Sequence, residues 1–325
     1  MSIAQRTILT GTLLLIMANT VTGQIEYSGF ADILYTKNLI EGGDAAFGYG
    51  QFEVDLSAVV MDGVTFEGAV AYNVDDGLFE AGAGFLDIHL TGSDESHPPR
   101  GGYLQHSGLM VGQFDVPFGR DYLHIPSPDR KLVSRPLLNQ KTIDSWNDMG
   151  LNLYCELSFF NFNYFIVNGA QAGIAAGGRI VIPLANILEL GASYATQTAE
   201  NDSGATPKII GVDFQSDFGP IGARFEYQQA TALLEGDFDN SGADDQHSGY
   251  YAQLDLEMEQ LVNLPLFLVG RYGTWEKDAE TVGQLTFGLG YKIGDGFECR
   301  AEYLSNRINE TDPDNQFTIQ TVIIF

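Results

Sequence analysis

The sequence predicts an all-β chain, a sixteen-stranded antiparallel transmembrane β-barrel with a long third loop. Three observations lead there. An apolar leader opens the chain, and no later stretch reaches the roughly 20 apolar residues that a spanning helix needs. Side chains alternate with period two along most of the chain. The connections alternate between short and long.

In the leader, Arg6 begins a short basic region, an apolar run follows from Ile8 to Ala18, and Val21-Thr22-Gly23 puts small residues where a signal peptidase cuts. Residues 1–23 therefore read as a secretory signal peptide and 24–325 as one outer-membrane β-barrel domain. With Arg6 removed, 15 basic residues face 43 acidic ones, a balance of −28 that excludes a nucleic-acid partner. Hydrophobic residues make up 44% of the chain, so half of each membrane strand must face a polar space. Cys155 and Cys299 fall on the lipid side, nine strands apart, and read as free thiols, because a bridge needs Cα atoms within about 7 Å.

The alternation is clear strand by strand. Phe52, Val54, Leu56 and Ala58 alternate with Glu53, Asp55 and Ser57; after Asp62-Gly63, Val64, Phe66, Gly68 and Val70 alternate with Thr65, Glu67 and Ala69. Further on, Ala223, Phe225 and Tyr227 oppose Arg224 and Glu226, Leu254 and Leu256 oppose Asp255, and Phe297, Cys299 and Ala301 oppose Glu298 and Arg300. Strands are predicted at 25–36, 48–61, 64–75, 84–91, 102–114, 149–157, 160–168, 178–184, 187–197, 207–217, 221–230, 249–258, 264–274, 283–293, 297–305 and 316–325. An even number suits a bacterial single-chain barrel. Short links such as 62–63, 158–159, 185–186 and 294–296 alternate with polar segments such as 198–206, 231–248 and 306–315, with 92–101 long on the short side. Outward tyrosines near strand ends, among them Tyr27, Tyr72, Tyr194, Tyr272 and Tyr303, suit interfacial girdles. The last strand places Phe317, Ile319, Ile323 and Phe325 on one face and ends on an aromatic, which resembles the assembly signal read by the outer-membrane assembly machinery.

The longest interruption, about 115–148, follows Gly112 to Gly119. Pro117 removes a ladder donor there and Gly119 permits a sharp change of direction. Long loops in compact domains are usually functional. Arg120, Arg130, Lys131, Arg135 and Lys141 against Asp121 and Asp129 give +3 over residues 120–141, while the rest of the mature chain carries −31. Folded inward, these cations face the wall acids Glu53, Asp55, Glu67, Glu156, Asp213, Glu226, Asp255 and Glu298 across a narrow aqueous passage, as a pore constriction with a charge preference. Alternatively, they only pin the loop to the wall. Inward Arg179, Arg224, Arg271, Lys292 and Arg300 either line the path or neutralise neighbouring carboxylates.

The Gly112 to Gly119 stretch, Ser134-Arg135-Pro136-Leu137, and Trp146-Asn147-Asp148-Met149-Gly150-Leu151, taken with the sixteen strands and terminal Phe325, resemble the phosphate-selective porin (O and P) family of outer-membrane channels. The motifs span residues 109–155 and the general pattern nearly the whole mature chain. The resemblance implies a homotrimer, an in-folded third loop and passage of small anions. The six mature lysines are widely spread and do not form the lysine cluster expected of phosphate-selective members, so the acidic lumen points instead to cations or weak selectivity.

The expected function is passive diffusion of ions and small hydrophilic solutes through an outer membrane, with lipid around the barrel and no cofactor. A non-conducting structural or adhesive barrel is the alternative. An enzyme is not expected: of the five histidines His89 alone sits inside a strand with an inward side chain, and no serine lies two positions from it. Asp237, Asp239 and Asp245 give a weak Ca²⁺ candidate, because Ser248 stands where an EF-hand needs its closing Glu.

Overall fold

A sheet in a bilayer can leave no backbone edge unpaired, since each unsatisfied N–H or C=O in hydrocarbon costs several kcal/mol. This chain meets the demand by closure. The computed structural model describes residues 25–325 except 41, 75–76, 92–102, 144, 170–172, 186, 199–205, 232–245, 278–279 and 310. Residues 1–23, read above as a signal peptide, and the Ca²⁺ candidates Asp237, Asp239 and Asp245 lie outside the described residues.

The sixteen strands are β1 (Ile25–Asn38), β2 (Ala45–Met61), β3 (Val64–Asn73), β4 (Leu78–Thr91), β5 (Leu104–Asp115), β6 (Asn147–Leu157), β7 (Asn161–Val167), β8 (Ala175–Leu184), β9 (Leu188–Gln197), β10 (Lys208–Phe218), β11 (Ile221–Thr231), β12 (Gln246–Glu257), β13 (Leu266–Lys277), β14 (Glu280–Gly294), β15 (Phe297–Ile308) and β16 (Asp314–Ile324). Each pairs antiparallel with its sequence neighbours, and β1 pairs with β16 to close the barrel, from Phe30↔Ile324 to Asn38↔Gln316. Among the described residues two short helices are not part of the wall, α1 (Leu137–Thr142) between β5 and β6 and α2 (Glu259–Val262) between β12 and β13.

The period-two pattern becomes an apolar outer face and a polar lumen face. Along β12, Tyr250 and Leu254 are exposed while Tyr251, Gln253 and Asp255 are buried. Along β16, Ile319 and Ile323 point out and Thr318, Gln320 and Val322 point in. Phe325 continues the outer row: its N–H and C=O bond to Gly29 of β1 at 2.9 Å, and its ring lies over that glycine. Cys155 and Cys299 are free.

Several strands run beyond the bounds that alternation alone predicted, and β4 and β12 show why. β4 begins at Leu78 rather than 84, because ladder bonds to β3 carry Glu80 to Ala83, small and polar residues that give no apolar rhythm. β12 begins at Gln246, where His247 pairs with Lys277 across the ladder and takes in residues assigned to a loop.

Candidate functional site: the barrel interior

The wall itself shapes the segment between β5 and β6. Phe114, Val116, Phe118, Ile143 and Trp146 bury themselves against Phe165, Val167, Ala195, Ile209 and Ala230, inner-face residues of β7 and β9–β11. Gly119 then turns with φ +64°, a conformation that favours glycine. Its N–H donates to Ser193 Oγ at 3.0 Å, and a Cβ there would stand 2.0 Å from Glu226 Oε1. Beyond it come two 3₁₀ turns, Asp121–His124 and Ser127–Asp129, and then α1.

Of the five loop cations, Arg120 and Lys131 touch wall carboxylates directly, with no water gap. Buried Arg120 donates through Nη1 to Glu189 at 2.7 Å and through Nε to Gln215 at 2.5 Å. Lys131 Nζ sits 2.9 Å from Asp255 and 2.7 Å from Glu257. Arg135 pairs within the segment, with Asp121 at 2.9 Å. Arg130 donates to the Ile125 carbonyl at 2.6 Å, and exposed Lys141 lies 5.8 Å from the Trp275 ring centre.

A further anchor carries no positive charge. Asp32 on β1 is fully buried, opposite a bulge in β2 that frees the Gln51 N–H. One Asp32 oxygen accepts that N–H in a short hydrogen bond; the other accepts the Ser127 hydroxyl at 2.5 Å and a short bond from Gln320 Nε2. Arg300 Nη1 donates to the Ser127 carbonyl at 2.8 Å, and Arg271 donates to the Ser134 carbonyl at 2.9 Å and hydroxyl at 2.7 Å. The Ser134 N–H donates to Glu302 at 3.0 Å.

The wall residues divide by partner. Asp213 and Arg179 form a buried two-point pair, Glu298 pairs with Arg300, and Lys292 stands 3.7 Å from Glu257. Buried Glu226 accepts the Arg120 N–H at 3.3 Å and the Gln228 amide at 2.7 Å. Glu67 accepts the Ser57 hydroxyl at 2.8 Å. Glu53 and Asp55, with Asp115 and Asp129 near them, form no ion pair among the described residues. Glu156 is half-exposed and near His106.

Between the segment and β11–β13 lies a tight cavity of about 10 Å³, room for about one water molecule. Arg130, Lys131, Arg135, Arg224 and Arg271 line it, with Asp121 as the carboxylate among its lining residues. Nε of Arg130 and of Arg271 and Nε2 of His124 are buried there without hydrogen-bond partners. Burial, reinforced by the Arg224 charge, pulls the His124 imidazole down to about 4, so it is neutral at pH 7. Burial and the neighbouring Arg135 and Arg300 charges lower Arg130 to about 10, which leaves it charged. Burial opposes the Lys131 ammonium, but Asp255 and Glu257 outweigh it and raise its pKa.

A closed wall of sixteen strands, apolar outside and charged inside, decides the architecture. The fold is that of a porin. The anion-selective porin from Comamonas acidovorans matches with a TM-score of 0.69 and 13% identity, over 93% of this chain and 100% of that one. OmpTdeltaL8, a loop L8 deletion mutant of OmpT, an outer membrane protein of Vibrio cholerae, matches at 0.65 and 15% identity, over 93% and 99%. Pseudomonas aeruginosa OccK5 (OpdH) matches at 0.54 and 11% identity, over 94% and 99%. No protein-family model and no curated protein sequence matches the chain.

Sequence reasoning on this porin fold missed Asp32, Ser127 and Glu189. Asp32 lies where a bulge interrupts the pairing, and its partners are separated from it by 19, 95 and 288 residues. The one local signal was Gly50, whose absent side chain leaves room for the Asp32 carboxylate.

Proposed function

We propose that the chain is an outer-membrane porin, exported by its signal peptide, through which ions and small hydrophilic solutes diffuse passively without an enzymatic step. In this reading segment 116–146 narrows the lumen and the protein works as a homotrimer in lipid, inserted by the outer-membrane assembly machinery. The trimer draws support from the fold, since a trimer form of Vibrio cholerae OmpT is among the structural matches.

What carries the reading is the way the segment is tied. Its hydrogen bonds lie on β1, β2, β9–β13 and β15, and those given above do not fall on β3 or β4. The free passage then runs beside the wall that carries Glu53, Asp55 and Glu67, with Asp115 and Asp129 at its edge. Arg120, Lys131 and Arg135 are already matched with carboxylates. The field along the passage is therefore negative, and the channel favours cations. The five cations around the small cavity favour a second reading, a preference for phosphate or other anions like that implied by the family resemblance.

The reversal potential of the reconstituted protein in a potassium chloride gradient separates the two. The expected sign is that of potassium permeating faster than chloride; the opposite sign contradicts the cation reading and supports the anion one. Changing Arg130, Lys131 and Arg135 together to Ala moves the potential further toward cations if the segment borders the passage. An unchanged potential means that those residues only pin it.

A further inference from the structure

Another cluster of side chains on the inner wall plays no part in the selectivity reading. It lies on β4, β5 and β6, at the end of the barrel opposite the one where segment 116–146 leaves β5. His89 and His106 stack there with ring centres 5.5 Å apart and planes inclined by 20°. Nδ1 of His89 and Nε2 of His106 are 3.3 Å apart. The remaining nitrogen of each ring faces a carboxylate: His89 Nε2 lies 3.8 Å from Asp87, and His106 Nδ1 4.0 Å from Glu156. Tyr154 lies across Gly108, where a Cβ would stand 2.1 Å from its hydroxyl. That hydroxyl donates to Asp87 at 2.7 Å, and its oxygen is 3.3 Å from His89 Nδ1. The two imidazoles are 18% and 25% exposed, so the cluster is open to water in the lumen.

A neutral imidazole has one N–H and one lone pair. A carboxylate lies behind each ring, at 3.8 and 4.0 Å, on the side from which carboxylates commonly orient metal-bound histidines. The facing nitrogens, 3.3 Å apart, either share one proton in a hydrogen bond or both turn lone pairs to a cation beside them. In a tetrahedral site with metal–nitrogen bonds of about 2.0–2.1 Å, adjacent ligand nitrogens are about 3.3 Å apart. The two imidazole nitrogens already have that spacing.

We infer that His89 and His106 form a two-histidine site on the lumen wall for a divalent transition-metal ion of the zinc or copper kind, with Asp87 and Glu156 orienting the rings. Imidazole ligands suit such ions and not Ca²⁺ or Mg²⁺. Among the described residues no three His, Cys, Asp or Glu side chains converge on one ion, so the remaining positions fall to water or a passing solute. The site is independent of the channel's charge preference, and its test reads metal binding instead of current.

The test is a calorimetric titration of Zn²⁺ into the full-length, chelator-stripped protein in detergent at pH 7. One tight ion per chain is expected. His89→Ala and His106→Ala should each weaken it by at least tenfold, and Asp87→Asn and Glu156→Gln by about 10- to 100-fold. His124→Ala, a change in the segment, should leave it unaltered. A second measurement needs no variant: Zn²⁺ should protect His89 and His106 of the unaltered protein from diethyl pyrocarbonate, read by mass spectrometry. Absence of a tight ion, equal affinity in both histidine variants, or no protection by Zn²⁺ overturns the site; in that last case the pair shares a proton and not a metal.

Discussion

Ser127→Ala isolates the tie that holds the tip of the inner segment. Ser127 is fully buried, and its hydroxyl lies 2.5 Å from Asp32 Oδ2 and 2.9 Å from Gln51 Oε1. Its single proton goes to the carboxylate. A hydrogen bond to a charged group contributes about 1.5–3 kcal/mol. The substitution leaves the other tie in place, because Arg300 donates to the backbone carbonyl of residue 127 at 2.8 Å. Asp32 keeps the Gln51 N–H and the Gln320 amide, so the β1–β16 seam stays closed. At about 1.4 kcal/mol per factor of ten, local opening of the tip should become about 10- to 150-fold more frequent. Native-state hydrogen exchange reads this directly at Leu123, Asp129 and Arg130, whose N–H groups bond within the segment. Unaltered exchange at those amides, or a loss of protection in the β1–β16 ladder instead, would refute the role given to Asp32.

Gly119→Ala meets both a positive φ and the Glu226 carboxylate 2.0 Å from the new Cβ, so it should lower the thermal unfolding midpoint and loosen the segment; unaltered melting and exchange would count against it. Arg179→Leu strands Asp213, whose side chain is 1% exposed, and should cost about 3–5 kcal/mol, with Arg179→Leu/Asp213→Leu recovering much of it in denaturant unfolding. The His124 pKa is lowered by packing, so the packed segment refuses a proton that the released one takes up. The stability from that packing is complete above the ordinary histidine value of 6.5 and declines as pH falls through it toward 4. Open-channel noise should therefore rise between pH 7 and 4, and His124→Gln should flatten the rise.

The barrel was legible because its signals are local. Alternation along β2, β11, β12 and β15 needs only neighbouring residues, and Phe325 marks the closing strand wherever β1 lies. The exit of the segment was legible from Pro117 and Gly119, whose backbone demands travel with the residue. Partners were not legible. Arg120 finds Glu189 at a separation of 69 residues, and Lys131 finds Asp255 at 124, so which charges cancel depends on closure and register. The same holds for His106, whose position near a strand start gave no hint of His89 on the preceding strand.

The most direct test of a porin is the current carried by the purified full-length protein in a planar lipid bilayer. Discrete steps whose conductance rises in proportion to bulk salt are the expected result. A correctly folded protein that inserts and carries no current would contradict the channel and leave the structural or adhesive barrel.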